Sequence, residues 1–200
     1  MQTEIVFSGF GGQGVLFAGQ ILAFAGMDAG LEVTWLPSYG PEMRGGTANC
    51  TVIIADEEIG SPQVHHPRGA VVMNLPSLDK YEPVLAQGGV LIINASLVNR
   101  GATRSDIVSI SVPANEIAEK LGNKRLTNMV LLGALLEKLP VLPMAALDEA
   151  LKNHLPERHR KFLSANLEAL KLGADFARGE LQVETASSDM AAETSAPTAV

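Results

Sequence analysis

Two glycine-rich stretches carry the residue types and spacings from which chemistry can be argued. The first, Gly9-Phe10-Gly11-Gly12-Gln13-Gly14, has the G-x-G-x-x-G spacing. It follows the apolar run Ile5-Val6-Phe7 and precedes a stretch rich in Ala, Leu and Ile. It therefore lies between a strand and a helix, the context a dinucleotide fingerprint requires. Glycines there permit φ > 0 and let a partner approach the backbone. Free amides at the start of the helix, together with its dipole, favour an anion. The pattern admits three uses: a nicotinamide or flavin site, close packing of helix on strand, or contact with another ligand or a partner subunit. The first needs a carboxylate at the end of the second strand to hold the ribose hydroxyls. That strand ends Thr34-Trp35-Leu36-Pro37-Ser38, with Glu32 at its beginning and no arginine for a 2′-phosphate before Arg44.

The second stretch is Ser38-Tyr39-Gly40-Pro41-Glu42-Met43-Arg44-Gly45-Gly46. In a doubly wound sheet the loops after the first two strands emerge on one edge, where ligand crevices form, so this loop is expected to face the first turn. One use is a surface loop with an internal Glu42–Arg44 pair, worth little when exposed. The other is a docking or ligand loop, with Arg44 offering paired donors to a carboxylate or phosphate and Tyr39 and Met43 supplying apolar contact.

The elements that position these loops follow from the apolar runs. Strands are expected over residues 5–7, 31–36 (stopped by Pro37), 47–55, 70–74, 90–94 and 107–112. Helices are expected over 15–29, 77–87 (capped by Ser77), 113–121, 127–139, 143–151 and 157–178. Alternating strands and helices, with strands that are near-continuous apolar runs, predict an α/β Rossmann-like fold. Its sheet is mostly parallel with helices on both faces, and its C-terminal part is helical. From about residue 180 onward Glu, Thr, Ser, Ala and Pro dominate. Residues 1–179 are therefore read as one domain and 180–200 as a disordered tail. No internal repeat is visible.

Composition narrows the function. Hydrophobic residues make up 46% of the 200-residue chain, enough for a core, and aromatic residues only 4%, so the core is aliphatic. A formal net charge of −7 argues against nucleic acid, which needs a basic stripe; the cations are scattered apart from Arg158, Arg160 and Lys161. The one cysteine, Cys50, can neither form an internal disulfide nor hold a cluster or structural zinc alone. Lying in an apolar strand, it reads as an inert core thiol. The start lacks a basic segment followed by an apolar stretch, and no run of about 18 apolar residues exists. The expectation is a cytoplasmic protein without signal peptide or membrane span.

The motif blocks form a recognisable set. Gly9 to Val15 (GFGGQGV), Leu36 to Asn49 (LPSYGPEMRGGTAN), Ile59-Gly60-Ser61-Pro62, Asn74-Leu75-Pro76-Ser77-Leu78, and Thr127-Asn128-Met129-Val130 with Leu132-Gly133-Ala134 resemble the gamma subunit, or gamma domain, of 2-oxoacid:ferredoxin oxidoreductases, over roughly residues 1–175. The resemblance implies a reaction of a whole complex: a 2-oxoacid and coenzyme A give an acyl-CoA, carbon dioxide and reduced ferredoxin. It places thiamine diphosphate with magnesium, and [4Fe-4S] clusters, in alpha and beta subunits and in a delta subunit where one exists, with no cofactor bound by this chain alone. The loops look closest to 2-oxoglutarate enzymes; pyruvate, branched-chain 2-oxoacid and indolepyruvate relatives share the core pattern. The contact residues it implies are Gly9, Gly11, Gly12, Gln13 and Gly14, then Ser38, Tyr39, Gly40, Glu42, Met43, Arg44, Gly45 and Gly46, and Asn128. None is catalytic and none ligates metal.

Other candidates read as structural. His65 and His66, adjacent before Pro67, point two ways and suit a solvated turn, and His154 and His159 sit among charges. Asn128 is either a hydrogen-bonder at a helix end or a side chain facing the site. Ser8 and Ser38 have no His–Asp partners legible in the sequence.

Overall fold

The structure, a computed structural model, describes residues 1–39 and 46–183. The expectations for Gly40, Pro41, Glu42, Met43, Arg44 and Gly45, and for the tail from residue 184, lie outside the described residues. Strands β1 (Gln2–Phe10), β2 (Glu32–Tyr39), β3 (Thr47–Ala55), β4 (Gly69–Val72), β5 (Val90–Asn94) and β6 (Val108–Val112) form one sheet of order β2-β3-β1-β4-β5-β6. β1, β4, β5 and β6 pair in parallel, whereas β3 is antiparallel to both β1 and β2. The sheet is thus mostly parallel, and β3 alone runs against it.

That reversal corrects part of the doubly wound expectation. β2 and β3 pair as antiparallel neighbours, so the glycine-rich stretch after β2 joins two adjacent strands and leads into no crossover. Pro37 does not end β2 either; it pairs opposite Cys50 within the strand. β2 is an edge strand, and a residue without an N–H is tolerated where one side of the ladder has no neighbour.

Helices α1 (Val15–Asp28), α3 (Ala114–Lys120), α4 (Thr127–Lys138), α5 (Met144–His154) and α6 (Leu163–Arg178) cover one face. α2 (Leu75–Tyr81) and the chain around Leu85 and Val98 cover the other. The strand period of two sorts the core: Val71 and Ile92 face the large helical layer, while Ala70, Val72, Leu91 and Ile93 face the smaller one. α2 begins two residues before Ser77. Its cap is Asn74, whose side-chain oxygen accepts from the Ser77 amide at 2.9 Å, and Pro83 stands inside the span expected to be helical through Gln87.

α4 is buried from Asn128 through Leu136, as a helix apolar on all sides must be. It crosses α6 with reciprocal glycines. A methyl group on Gly133 would overlap the carbonyl of Leu170, and one on Gly173 would overlap the carbonyl of Val130. Backbone here lies on backbone, and no side chain can yield to make room.

On the smaller face, the buried carboxylate of Glu82 holds the loop between β5 and β6. It accepts from Arg100 Nη1 at 2.9 Å, Thr103 Oγ1 at 2.8 Å, the Arg104 amide at 3.0 Å and the Thr103 amide. Burial pushes this carboxyl up; the donors outweigh burial and hold it at about 2, against an ordinary 4.5. Since the folded value is the lower one, the stabilisation is fully present above about pH 4.5 and is lost as pH falls toward about 2.

Gly133→Ala or Gly173→Ala should each cost about 3 kcal/mol in urea denaturation, because the collision is with a main chain. Glu82→Gln should destabilise by on the order of 3 kcal/mol at neutral pH. Its deficit relative to the parent chain should shrink as unfolding is repeated from about pH 5 down to about pH 2; a deficit independent of pH would contradict the assignment.

Candidate functional site

The C-terminal ends of the parallel strands make one rim. At its centre, β1 runs into the glycine turn. Gly12 and Gly14 adopt φ of 97° and 75°, which side-chain-bearing residues rarely take. Gln13 closes the turn: its Oε1 accepts from the Phe10 amide at 2.6 Å, and its Nε2 donates to the Met73 carbonyl at 3.4 Å. Gly9 leaves the space this requires, since a Cβ there would lie 2.9 Å from Met73 Cβ and collide with Gln13. Gly14 stands at the amino end of α1, where no side chain caps the first turn.

The second loop adjoins the first where it is described. Phe10 pairs opposite Thr47 and Gly9 opposite Ala48, and Asn49 stands between Ser8 and Ser38. The Gly11 amide donates to the Gly46 carbonyl at 3.0 Å. Gly9, Gly11, Gly12, Gln13, Gly14, Ser38, Tyr39 and Gly46 therefore share one rim. Phe10 is exposed there.

Asn128 joins this group from α4. Its Nδ2 donates to the Gly14 carbonyl at 3.0 Å, and its Oδ1 accepts from the Met129 amide at 2.9 Å. It is buried, and it fastens the start of α4 to the start of α1. It is a hydrogen-bonder at a helix end, the first of its two sequence readings, and it lies against the glycine turn.

Several rim residues were not anticipated. Ser8, two residues before the end of β1, bonds the hydroxyl of Ser77 at 2.8 Å. Asn94, at the end of β5, donates to Asn115 Oδ1 at 3.2 Å, which also accepts from Thr127 Oγ1 at 3.2 Å. The available signal was a small polar residue closing each of three apolar runs, Ser8, Asn74 and Asn94, all of them buried. Such positions need partners, and in a parallel sheet the partners come from the helices that follow.

A cleft of about 770 Å³ opens from the glycine turn along α1, between the 3₁₀ turn Lys124–Leu126 and the chain from His154 to Asn166. His154, expected as solvated surface, is held instead. It stacks on Phe24 with ring centroids 4.1 Å apart and planes within 8°, and its Nε2 lies 2.9 Å from Asp28 Oδ1. The hydrogen bond from His154 holds the Asp28 carboxyl below the usual range. His65, His66 and His159 are exposed, as read from the sequence.

Cys50 is fully buried against α1, beneath Gly19. Burial pushes its thiol up to about 12, which leaves almost no thiolate at neutral pH. The dinucleotide reading meets a further obstacle in the topology. β3 lies between β1 and β2, so the end of β2 is displaced from the glycine turn by a whole strand.

The comparisons with known proteins agree with this rim-forming fold. The family model for pyruvate ferredoxin/flavodoxin oxidoreductase matches residues 4–176. The ketoisovalerate oxidoreductase subunit VorA of Methanothermobacter thermautotrophicus is 38% identical over 186 residues, which are 92% of this chain and 38% of that protein. The chain thus spans little more than a third of that relative's length. The 2-oxoglutarate synthase subunit KorC of Methanothermobacter marburgensis is 39% identical over 163 residues, 78% of this chain and 88% of the relative. Among solved structures, the gamma subunit of a keto/oxoacid ferredoxin oxidoreductase from Geobacter sulfurreducens PCA superposes with a TM-score of 0.78 at 29% identity. That match covers 90% of this chain and 98% of the other.

Cys50 should resist a disulfide reagent in the native state at about pH 8 and react at the rate of an exposed thiol only once the chain is unfolded. Rapid native-state labelling would contradict the buried placement.

Proposed function

The chain belongs to the pyruvate ferredoxin/flavodoxin oxidoreductase family, and from that premise we propose that it serves as the gamma subunit of a 2-oxoacid:ferredoxin oxidoreductase acting on 2-oxoglutarate in the cytoplasm. The reaction of the assembly is the oxidative decarboxylation of the 2-oxoacid with coenzyme A. The carboxylate leaves as carbon dioxide, the acyl group passes to the thiol of coenzyme A, and two electrons pass singly to ferredoxin.

In this reading thiamine diphosphate, magnesium and [4Fe-4S] clusters belong to the alpha, beta and, where present, delta subunits. The residues of this chain do not fit a cluster, which takes four thiolates where there is one buried cysteine. Its own contribution is the rim. The observation that carries the proposal is the junction of the two glycine loops at Gly11 and Gly46, with Phe10 exposed beside it. Main chain without side chains, flanked by an exposed aromatic group, can be approached closely by another polypeptide. Arg44, in the connecting loop, is proposed to meet an anionic group of coenzyme A.

The choice of 2-oxoglutarate rests on the synthase subunit at 39% identity. A branched-chain 2-oxoacid is the second reading, favoured by the ketoisovalerate subunit at 38% over more of the chain.

The test is co-expression of the full chain with candidate thiamine- and cluster-bearing subunits. The expected result is copurification, with coenzyme A-dependent ferredoxin reduction faster on 2-oxoglutarate than on 3-methyl-2-oxobutanoate or pyruvate. The activity should be lost when this chain is omitted. Arg44→Ala should leave the complex assembled and raise the KM for coenzyme A by about tenfold. Undiminished activity of the complex without this chain would overturn the assignment, and preference for 3-methyl-2-oxobutanoate would transfer it to the second reading.

A further inference from the structure

The chain is acidic, with 22 Asp and Glu against 15 Lys and Arg, yet one exposed turn reverses that balance. The 3₁₀ turn Glu157–Phe162 carries Arg158, Arg160 and Lys161 against Glu157 alone. All of its residues are exposed. Among the described residues none of the three cations reaches a carboxylate. Arg158 donates to the His159 ring at 3.1 Å, and Lys161 lies over the Phe162 ring at 5.1 Å. Arg100, Arg104 and Arg178, by contrast, are each held by carboxylates. Arg125, which lines the same cleft as Arg158, adds a further cation beside the turn. The turn is thus a basic patch with an aromatic ring at its end, and such a patch on an acidic protein attracts an acidic segment.

The chain itself contains that segment. Residues 184–200 include Glu184, Asp189 and Glu193 and no Lys, Arg or His. α6 starts directly after the basic turn and, with 16 residues, carries the chain away from it by about 24 Å. Gly179, at φ 91°, ends the helix; the Glu180 amide bonds back to the Asp175 carbonyl at 2.9 Å, and Leu181 and Val183 pack on the main core. The segment therefore begins at the end of α6 remote from the turn. Asp189 and Glu193 follow Val183 in the sequence at extended reaches of about 20 and 33 Å. Glu193 can return the whole length of α6, and Asp189 can return most of it, the long side chains of arginine and lysine covering the rest. Met190, next to Asp189, offers a thioether suited to the ring of Phe162, which is 37% exposed.

We propose that residues 184–200 dock on this turn of their own chain, with Asp189 and Glu193 against Arg158, Arg160 and Lys161 and with Met190 against Phe162. A single exposed ion pair is weak. Here the covalent connection offsets that weakness, because a short tether holds the carboxylates near the patch at an effective concentration in the millimolar range. Docked there, the segment also covers the wall of the cleft to which Arg158 and Phe162 belong. The inference uses no assignment of the reaction, so it and the subunit proposal can fail independently.

Paramagnetic broadening in the full chain tests it. Because Cys50 is buried, Ser195→Cys takes a nitroxide label at a single place. At low salt the amide signals of residues 157–162 should lose at least about half their intensity to the label, while those of Asp79 and Lys80, on α2 across the sheet, keep theirs. Salt at about 1 M, where the screening length falls to about 3 Å, should restore the signals. So should Arg158→Gln, Arg160→Gln and Lys161→Gln combined, or Asp189→Asn with Glu193→Gln. Asp189→Lys with Glu193→Lys should also restore them, and adding Arg160→Glu with Lys161→Glu should bring the broadening back, a result that damage to the fold would not produce. The proposal is overturned by undiminished signals in the parent chain or by broadening that survives neutralisation of the turn. It is also overturned by equal broadening in a mixture where labelled and observed chains are separate molecules, which would identify a second copy as the source of the segment. Loss of copurification with partner subunits would leave this contact intact, and absence of the contact would leave copurification intact.

Discussion

α1 rests on the sheet at a separation that only glycine permits, and the geometry of the rim follows from that contact. A methyl group on Gly19 would strike Cys50 Sγ, and one on Gly26 would lie 2.8 Å from Val33 Cγ2. The two glycines stand seven residues apart, two turns of helix, and so face the same side. With no side chain between, α1 lies directly on β2 and β3 as well as on β1. Its amino end is thereby held where β1 delivers the chain, and the turn between them has to be as tight as the positive φ angles of Gly12 and Gly14 make it. The same close seat buries Cys50, which accounts for the inertness of its thiol.

A rim built this way needs polar anchoring, because strand ends and helix starts bring unsatisfied main-chain groups into a buried region. The chain supplies it with short amides and hydroxyls. Gln13 satisfies the Phe10 amide, Asn128 the Gly14 carbonyl, Asn74 the Ser77 amide and Ser77 the hydroxyl of Ser8. These are neutral groups, each worth about 1 kcal/mol net, and their joint effect is to hold the separate motif blocks in one arrangement. Blocks far apart in sequence, around residues 9–14, 74–78 and 127–130, turn out to be successive pieces of one edge.

The strands and most helices were legible because a parallel sheet covered by helices writes itself as apolar runs separated by turn residues; β3, β5 and α4 fall almost where the pattern puts them. Three features were not legible. Hydrophobicity is blind to strand direction, so β3 reads the same parallel or antiparallel. Pro37 reads as a strand terminator because sequence does not say that β2 is an edge. Ser77 competes with Asn74 for the cap, and in the fold Asn74 takes it while the Ser77 hydroxyl bonds Ser8. At the site, the glycine turn and Asn128 could be named in advance because backbone conformation and residue type are local. The cleft along α1 could not, since its walls come from residues 12–24, 122–128 and 154–166, which only the fold brings together.

β3 is also the element that decides how the nucleotide-like fingerprint is used. In a sheet where β1 and β2 are neighbours, a carboxylate at the end of β2 reaches across to a ribose bound at the glycine turn. Inserting an antiparallel strand between them moves that end away by about 5 Å, and the chain accordingly carries Ser38 and Tyr39 there instead of an acid. The turn keeps what depends only on its own backbone, namely free amides and close approach. Its upper side meets the end of the loop after β2, where the Gly11 amide donates to the Gly46 carbonyl. Its flank, along α1, opens into the arginine-bordered cleft. One local motif thus borders both the rim and the cleft, and the topology of a single strand determines which of them each part of it faces.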